Sequence, residues 1–337
     1  MTMRYEKTAP VTITGAGSWG TALAVLLANS GRNVRLWGRD TTQMAEMAAK
    51  RVNEMYLPGV RLPDSLFVTS DLSQALDNVI NVMIVVPSHA FREHVTQLLP
   101  YLSEESRLSW SCKGLDQQSG KLLSDVVAEI VSWPIPLAIL SGPSFAKEVA
   151  RGLPTAAAIA SNNSVFADFL VEEFHTDTFR PYLNTDIIGV QISGAVKNPM
   201  AIAAGISDGL GYGANARSAL ITRALAEMTR LGVAMGGKAE TFVGLSGLGD
   251  LVLTCTSNLS RNFRFGFDIG QGKSVTEAEK NIDQVIEGKD NAFLVEQLAK
   301  QHEIEMPIIE QVCEVLRGNI TAAQAARALF ERSIKLE

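Results

Sequence analysis

Residues Gly15 to Gly20 (GAGSWG) spell the pattern G-x-G-x-x-G, and they do so between two segments of opposite character. Before them, Val11–Thr14 is rich in β-branched residues that favour a strand; after them, Thr21–Asn29 (TALAVLLAN) is rich in helix formers. Gly31 can end that helix, and Asn33–Trp37 (NVRLW) reads as a second strand. A strand–turn–helix–strand succession predicts parallel pairing across a helical crossover, because parallel neighbours cannot be joined by a tight hairpin. In such a turn the first glycine permits the bend, the second lets backbone approach a pyrophosphate, and the third lets helix and strand pack closely. The helix start adds unpaired N–H groups and partial positive charge. The motif alone is weak; its place after a strand and before a helix is what makes it a dinucleotide-binding signal.

The same α/β character continues. Further strands are expected at Phe67–Thr69, Asn81–Val86, Arg107–Trp110, Leu137–Leu140 and Ala156–Ala160, with helices at Thr42–Lys50, His89–Leu99 and Lys121–Ile130. Val82–Val86 is apolar on both faces, as in a strand covered by helices on each side. Beyond about residue 190 strand signals fade. Helical periodicity marks Ile192–Ile206, Ala216–Met235, Val275–Val285, Ala292–Gln301 and Pro307–Leu316, and Ser274 with Glu277 predicts a capping box. The expected architecture is an α/β Rossmann-like domain with a mostly parallel sheet over residues 1–190, followed by an all-α domain over 191–337. Two domains also suit a chain of 337 residues.

Charge narrows the function. With a formal net charge of −6, neither nucleic acid nor an anionic membrane is expected as the main partner. A phosphorylated ligand would require positive groups gathered locally. Cys112, Cys255 and Cys313 are widely spaced and odd in number, which fits small buried residues in a reducing cytosol rather than disulfides. The first ten residues lack an apolar core and do not read as a signal peptide; Ala195–Gly213 is too interrupted by polar residues to span a membrane. His89, His94, His175 and His302 show no metal-ligand spacing, and no metal is expected.

The end of the second strand selects the cofactor. An acidic residue there binds a ribose 2′-hydroxyl, whereas an arginine accepts a 2′-phosphate. Trp37 is followed by Gly38-Arg39-Asp40. Arg39 points to NADPH/NADP, and Asp40 leaves NADH/NAD open as well.

Taken in order, GAGSWGTALA (15–24), VVPSH (85–89), CKGL (112–115), SGPSFAKE (141–148), GAVKN (194–198), GANARSALITR (213–223), GLGDLVLTCT (247–256), SRNFRFG (260–266) and VIEG (285–288) run nearly end to end. The series resembles NAD(P)-dependent glycerol-3-phosphate dehydrogenase of the bacterial type. The resemblance implies a cytosolic oxidoreductase that interconverts sn-glycerol 3-phosphate and dihydroxyacetone phosphate and supplies glycerol 3-phosphate for phospholipid synthesis. It also implies an active site in a cleft between the domains. Lys197 matches the family's proton acceptor, with Asp250 as the carboxylate beside it. Lys113, Gly142, Ser144, Lys197, Asp250, Ser260, Arg261 and Asn262 match its substrate contacts. Gly15, Gly17 and Gly20 of the turn, with Ser18, Trp19, Arg39, Lys113, Ala146, Arg261, Val285 and Glu287, are the expected cofactor contacts. Lys113, Lys197 and Arg261 would supply the positive cluster. Pro199 departs from the family, which usually carries a branched aliphatic there; a proline inside a helix removes a hydrogen bond and commonly bends it.

The chemistry asks for a positioned acid/base, a phosphate clamp and help for a developing alkoxide. A free lysine holds its proton to about pH 10.4, so Lys197 needs burial or nearby cations to act as a base. The rival readings are another two-domain hydroxyacid or sugar-acid dehydrogenase, and a regulator that senses NADPH without turnover. The expected partners are a phosphorylated small molecule and a second copy of the chain as a homodimer.

Overall fold

The computed structural model describes residues 10–282 and 284–331, so most of the N-terminal stretch read above lies outside the described residues. The chain divides into two compact units: residues 1–112 with 123–187, and residues 188–337 with 113–122. A single cut at 190 does not capture the short segment 113–122, which leaves the sheet and belongs with the helices.

Among the described residues the first unit contains ten strands: β1 (Val11–Thr14), β2 (Val34–Trp37), β3 (Val52–Asn53), β4 (Leu57–Arg61), β5 (Phe67–Thr69), β6 (Asn81–Ile84), β7 (Arg107–Trp110), β8 (Leu137–Ser141), β9 (Thr155–Ser161) and β10 (Phe179–Asn184). Eight form one sheet in the order β10-β9-β8-β7-β6-β1-β2-β5, and β3 pairs with β4 in a separate two-stranded sheet. Every neighbour pair of the large sheet is parallel except β8 with β9. β1, β6 and β8 are buried along their whole length, and for β6 this agrees with the apolar run Val82–Val86 read as covered on both faces. The chain leaves β1 toward β2 on one side and returns to β6 on the other. The carboxyl end of β1 is therefore the point where strand order reverses, and ligands of open α/β sheets bind there. The glycine turn follows that end.

The sequence reading did not expect β3, β4, β10 or the helices Leu72–Leu76, Ala146–Ala150 and Ser164–Phe174. β10 (FRPYLN) carries Pro181 and alternates only briefly, both compatible with an edge strand. The expected helix at Lys121–Ile130 begins at Leu123 instead.

The second unit is helical. In the helix Ile187–Gly209 every residue from Gly189 to Ser207 is buried, as expected for a helix packed on all sides. It runs unbroken through Pro199. Helices at Gly213–Ala234, Glu287–Gln301, Pro307–Leu316 and Ala322–Phe330 surround it within a shared apolar core. The capping box at Ser274 and Glu277 is present. Its helix, expected to reach Val285, ends at Lys280, and the C-cap residue Asn281 donates its side-chain amide to Asp268 Oδ2 at 2.7 Å. Between residues 245 and 270 a π-helical turn (Leu245–Gly249) leads into the helix Asp250–Thr256, and then Arg261–Gly270 forms an amphipathic helix.

Candidate active site

In the first unit the turn is built for close approach. Gly15 has φ +121°, and a Cβ there would lie 2.3 Å from the Val85 carbonyl oxygen; a Cβ on Gly20 would lie 1.9 Å from that of Gly15. Gly17 differs, because a Cβ on it would meet nothing within 4 Å. It is the N-cap of the helix Ser18–Asn29 and has no side chain to take up the first-turn N–H groups. A diphosphate fits that cradle, with Ser18 at the first helical position. The turn is held from behind by Asn53 on β3. Its fully buried amide donates to the Ala16 carbonyl at 3.0 Å and the Thr21 hydroxyl at 2.8 Å.

Trp19 turns inward: its indole N–H donates to Ser111 Oγ at 2.7 Å, and that hydroxyl donates to the Leu140 carbonyl at 2.7 Å. The indole thus ties the helix start to the ends of β7 and β8. Arg39 and Asp40 are both exposed, but the Asp40 carboxylate caps the helix Thr41–Lys50 by accepting from Gln43 N at 2.8 Å. That commitment leaves Arg39 as the group at this strand end suited to a 2′-phosphate. Gly142 ends β8 with φ +153°, Ser144 Oγ donates to the Gly142 carbonyl at 3.1 Å, and Ala146 starts the helix Ala146–Ala150. These too belong to the first unit.

The second unit gathers charge. Asp250, at the start of its helix, is 1% exposed and accepts from two lysines: Lys197 Nζ on Oδ1 at 2.6 Å and Lys113 Nζ on Oδ2 at 2.6 Å. Residue 197 lies mid-helix and residue 113 in the short segment that departs from the sheet. Thr254, one turn beyond Asp250, donates to the Asp250 carbonyl at 2.6 Å and accepts from Lys197 Nζ at 3.0 Å. Burial lowers the Lys197 pKa to about 8; Asp250 works against that shift and Lys113 adds to it. Burial would raise the Asp250 carboxyl, but Lys113 and Lys197 outweigh it and hold the group below the usual carboxylate range. Two ammonium groups share one carboxylate, so the cluster carries a net positive charge in a negatively charged chain. A buried cluster of that sign attracts a developing alkoxide. Cys255, also buried here, has its thiol pushed up to about 12 by burial, which excludes it as a nucleophile at neutral pH.

Arg261 and Asn262 open the helix capped by Ser260, whose hydroxyl accepts from Phe263 N at 3.2 Å. The Arg261 guanidinium donates to Gln284 Oε1 at 3.0 Å, and Asn262 Nδ2 donates to Asn198 Oδ1 at 3.0 Å. Asn262, next to Arg261, is thereby linked to Asn198, the neighbour of Lys197 in the chain. The helix crossing that sets this spacing is made by glycine. A Cβ on Gly205 would lie 2.0 Å from the Phe263 carbonyl, and one on Gly266 would lie 2.0 Å from that of Ile202. Gly288, one residue after Glu287, donates its N–H to Asn262 Oδ1 at 2.9 Å. Val285 is 43% exposed, and Glu287 begins the helix Glu287–Gln301. Sequence reading had not singled out Thr254, Asn198, Gln284, Asn291 or Asn53. The first two stand inside the motifs GLGDLVLTCT and GAVKN, so only their neighbourhood was marked.

Residues 10–167 match the family model described as the NAD-dependent glycerol-3-phosphate dehydrogenase N-terminus, and residues 186–327 match that of the C-terminus. A glycerol-3-phosphate dehydrogenase [NAD(P)+] of Photobacterium profundum is 50% identical over 338 residues, covering 100% of both chains. One of Photorhabdus laumondii is 52% identical over 333 residues, covering 98% of each. The crystal structure of glycerol-3-phosphate dehydrogenase from Coxiella burnetii superimposes with a TM-score of 0.94 at 50% identity, covering 96% of this chain and 99% of that one.

Proposed function

This chain belongs to the NAD-dependent glycerol-3-phosphate dehydrogenase family, and from that premise we propose that the Lys113–Asp250–Lys197 cluster is the proton-transfer centre of its reaction. The protein is an NAD(P)-dependent oxidoreductase that interconverts sn-glycerol 3-phosphate and dihydroxyacetone phosphate. The observation that carries the proposal is a lysine buried mid-helix on a carboxylate already shared with a second ammonium.

When bound, the nicotinamide supplies or takes the hydride at C2 of the substrate. Lys197 handles the proton at the C2 oxygen. As an amine it accepts the hydroxyl proton during oxidation; as an ammonium it returns that proton during reduction. A pKa near 8 keeps both forms accessible around neutral pH, as acid/base catalysis in two directions requires. Asp250, held ionised, orients both ammonium groups, and Lys113 adds charge where the alkoxide develops. Arg261 is the phosphate clamp, since a guanidinium can offer two parallel donors to phosphate oxygens. Ser260 and Asn262 flank it on the same helix start. Gly142 and Ser144 complete the substrate contacts.

Residues 1–190 serve as the cofactor-binding domain and 191–337 as the substrate-binding domain, with segment 113–122 carrying Lys113 to the latter. Gly15, Gly17, Ser18, Trp19 and Gly20 take the diphosphate end, Arg39 the 2′-phosphate, and Ala146, Lys113, Arg261, Val285 and Glu287 the remainder. Among the described residues no helix is long and apolar enough to cross a membrane. The proposed setting is the cytoplasm, where a homodimer supplies glycerol 3-phosphate for phospholipid synthesis; sedimentation at micromolar concentration checks the dimer. The reaction itself is tested by initial rates of NADPH oxidation with dihydroxyacetone phosphate, repeated with NADH and with 2-keto acids. Turnover of dihydroxyacetone phosphate is expected with both cofactors. Reduction of a 2-keto acid in its place would overturn the assignment.

A further inference from the structure

Lys113 does not sit on a regular element. It opens the segment 113–122, which among the described residues forms no strand or helix of its own up to Leu122. A lysine whose ammonium must hold a buried carboxylate at 2.6 Å needs that backbone placed to a fraction of an ångström. Two features of the second unit supply the placement. Gly194 packs under the lysine stem, where a Cβ would make ordinary van der Waals contact, 3.6 Å, with its first two side-chain carbons. Asn291, 1% exposed on the helix Glu287–Gln301, spends both ends of its amide on the segment. Its Nδ2 donates to the Lys113 carbonyl at 3.2 Å, and its Oδ1 accepts from Leu115 N at 3.3 Å. The amide thus grips the backbone on both sides of Gly114. Asparagine is a poor helix former, so its presence inside a helix calls for such a role.

The same helix start faces the other half of the cluster. Gly288, one turn before Asn291, donates to Asn262 Oδ1, and a Cβ there would lie 2.8 Å from the Asn198 carbonyl. One helical turn therefore touches both the backbone of Lys113 and the residue adjoining Lys197. We propose that Asn291 is a positioning residue that holds the Lys113 ammonium on Asp250, and that the first turn of the helix Glu287–Gln301 sets the spacing of the two lysines. The inference deepens the reading of the cluster as the proton-transfer centre and rests on it.

If Asn291 acts through Lys113, its removal matters only while Lys113 is present. Asn291→Ala should lower turnover of dihydroxyacetone phosphate about tenfold in the otherwise unchanged enzyme, and less than about twofold in a Lys113→Ala background. The pH profile gives a second readout. With the Lys113 ammonium displaced, Lys197 loses a cation that favours its neutral form and keeps the carboxylate that favours its charged form. The alkaline fall of dihydroxyacetone phosphate reduction should then move to higher pH. A packing defect would lower thermal stability without moving that limb. Asn291→Leu, close in volume and unable to make either hydrogen bond, should behave as Asn291→Ala does and carries the test if the alanine variant does not accumulate. Equal losses in both backgrounds, or an unmoved alkaline limb in the folded variant, would overturn the proposal. Failure of the underlying reading has a different signature, near-normal turnover in Lys197→Ala, and the cycle with Lys113 does not depend on it.

Discussion

At the glycine turn of the first unit, the groups offered to a ligand are backbone N–H donors at the start of the helix Ser18–Asn29, with no buried ionised side chain among the turn residues. At the centre of the second unit, two ammonium groups and one carboxylate lie within 2.6 Å contacts, with Lys197 and Asp250 buried. The backbone site keeps its donors at any pH and needs only space, which is why Gly17 is open. The charged site depends on which protons are present and on hydrogen bonds from neighbours: Thr254 meets Lys197 and Asp250, and Asn291 meets the backbone at Lys113 and Leu115. One unit is thus suited to hold a cofactor of fixed charge, and the other to move a proton.

The largest expected effect removes the proton carrier. Lys197→Ala should cut turnover by a factor on the order of a hundred or more, with NADPH binding retained, because acid/base contributions are of that size. In the unaltered enzyme the oxidation rate should rise with pH toward a plateau above about 8, and the reduction rate should fall over the same range. Near-normal turnover in the variant would transfer the role to Lys113.

Next comes the phosphate clamp. Arg261→Ala should lower kcat/KM for dihydroxyacetone phosphate by on the order of a hundredfold and leave the poor activity on unphosphorylated dihydroxyacetone nearly unchanged. Equal proportional losses on the two substrates would place Arg261 in service of the cofactor or the fold.

A smaller effect sharpens the account of the first unit. Arg39→Asp should weaken NADPH by about tenfold or more relative to NADH, since a like charge replaces a 2′-phosphate partner. Parallel loss for both cofactors would mean that this strand end reads no phosphate.

Two further effects fall on stability, not on turnover, and run in opposite directions in the two units. His94, stacked on Trp37 at 5.1 Å, has its pKa lowered to about 4 by burial. The unfolded chain binds that proton more readily, so this contribution is full above pH 6.5 and about 3 kcal/mol is lost as pH falls through 4. Glu227, buried and accepting from Ile308 N at 2.9 Å, is raised to about 7 by burial. Its contribution is present below pH 4.5 and lost as pH rises through 7. Melting temperatures across pH 4 to 8 should therefore show a shallower acid decline in His94→Phe and a shallower neutral decline in Glu227→Gln. Unchanged slopes would show that neither group titrates on unfolding.

What the sequence determined by itself was whatever is written locally or in a long ordered series of motifs. The turn at Gly15–Gly20, the buried strands β1 and β6, and the helix Pro307–Leu316 all follow from short-range pattern, because period and glycine spacing act within a few residues. Residue types suited to the chemistry, Lys197 and Asp250 among them, were marked by motif resemblance. Tertiary structure decided what those residues touch. That Asp250 is shared by Lys113 and Lys197 joins positions 113, 197 and 250, and no local signal encodes a carboxylate's second partner. The antiparallel β8–β9 pair, the edge strand β10 and the hold of Asn53 on the glycine turn likewise arise from pairing between distant segments. The transfer of segment 113–122 to the helical unit is of the same kind, since a loop takes its place from the surfaces it meets and the side chains, such as Asn291, that satisfy its backbone.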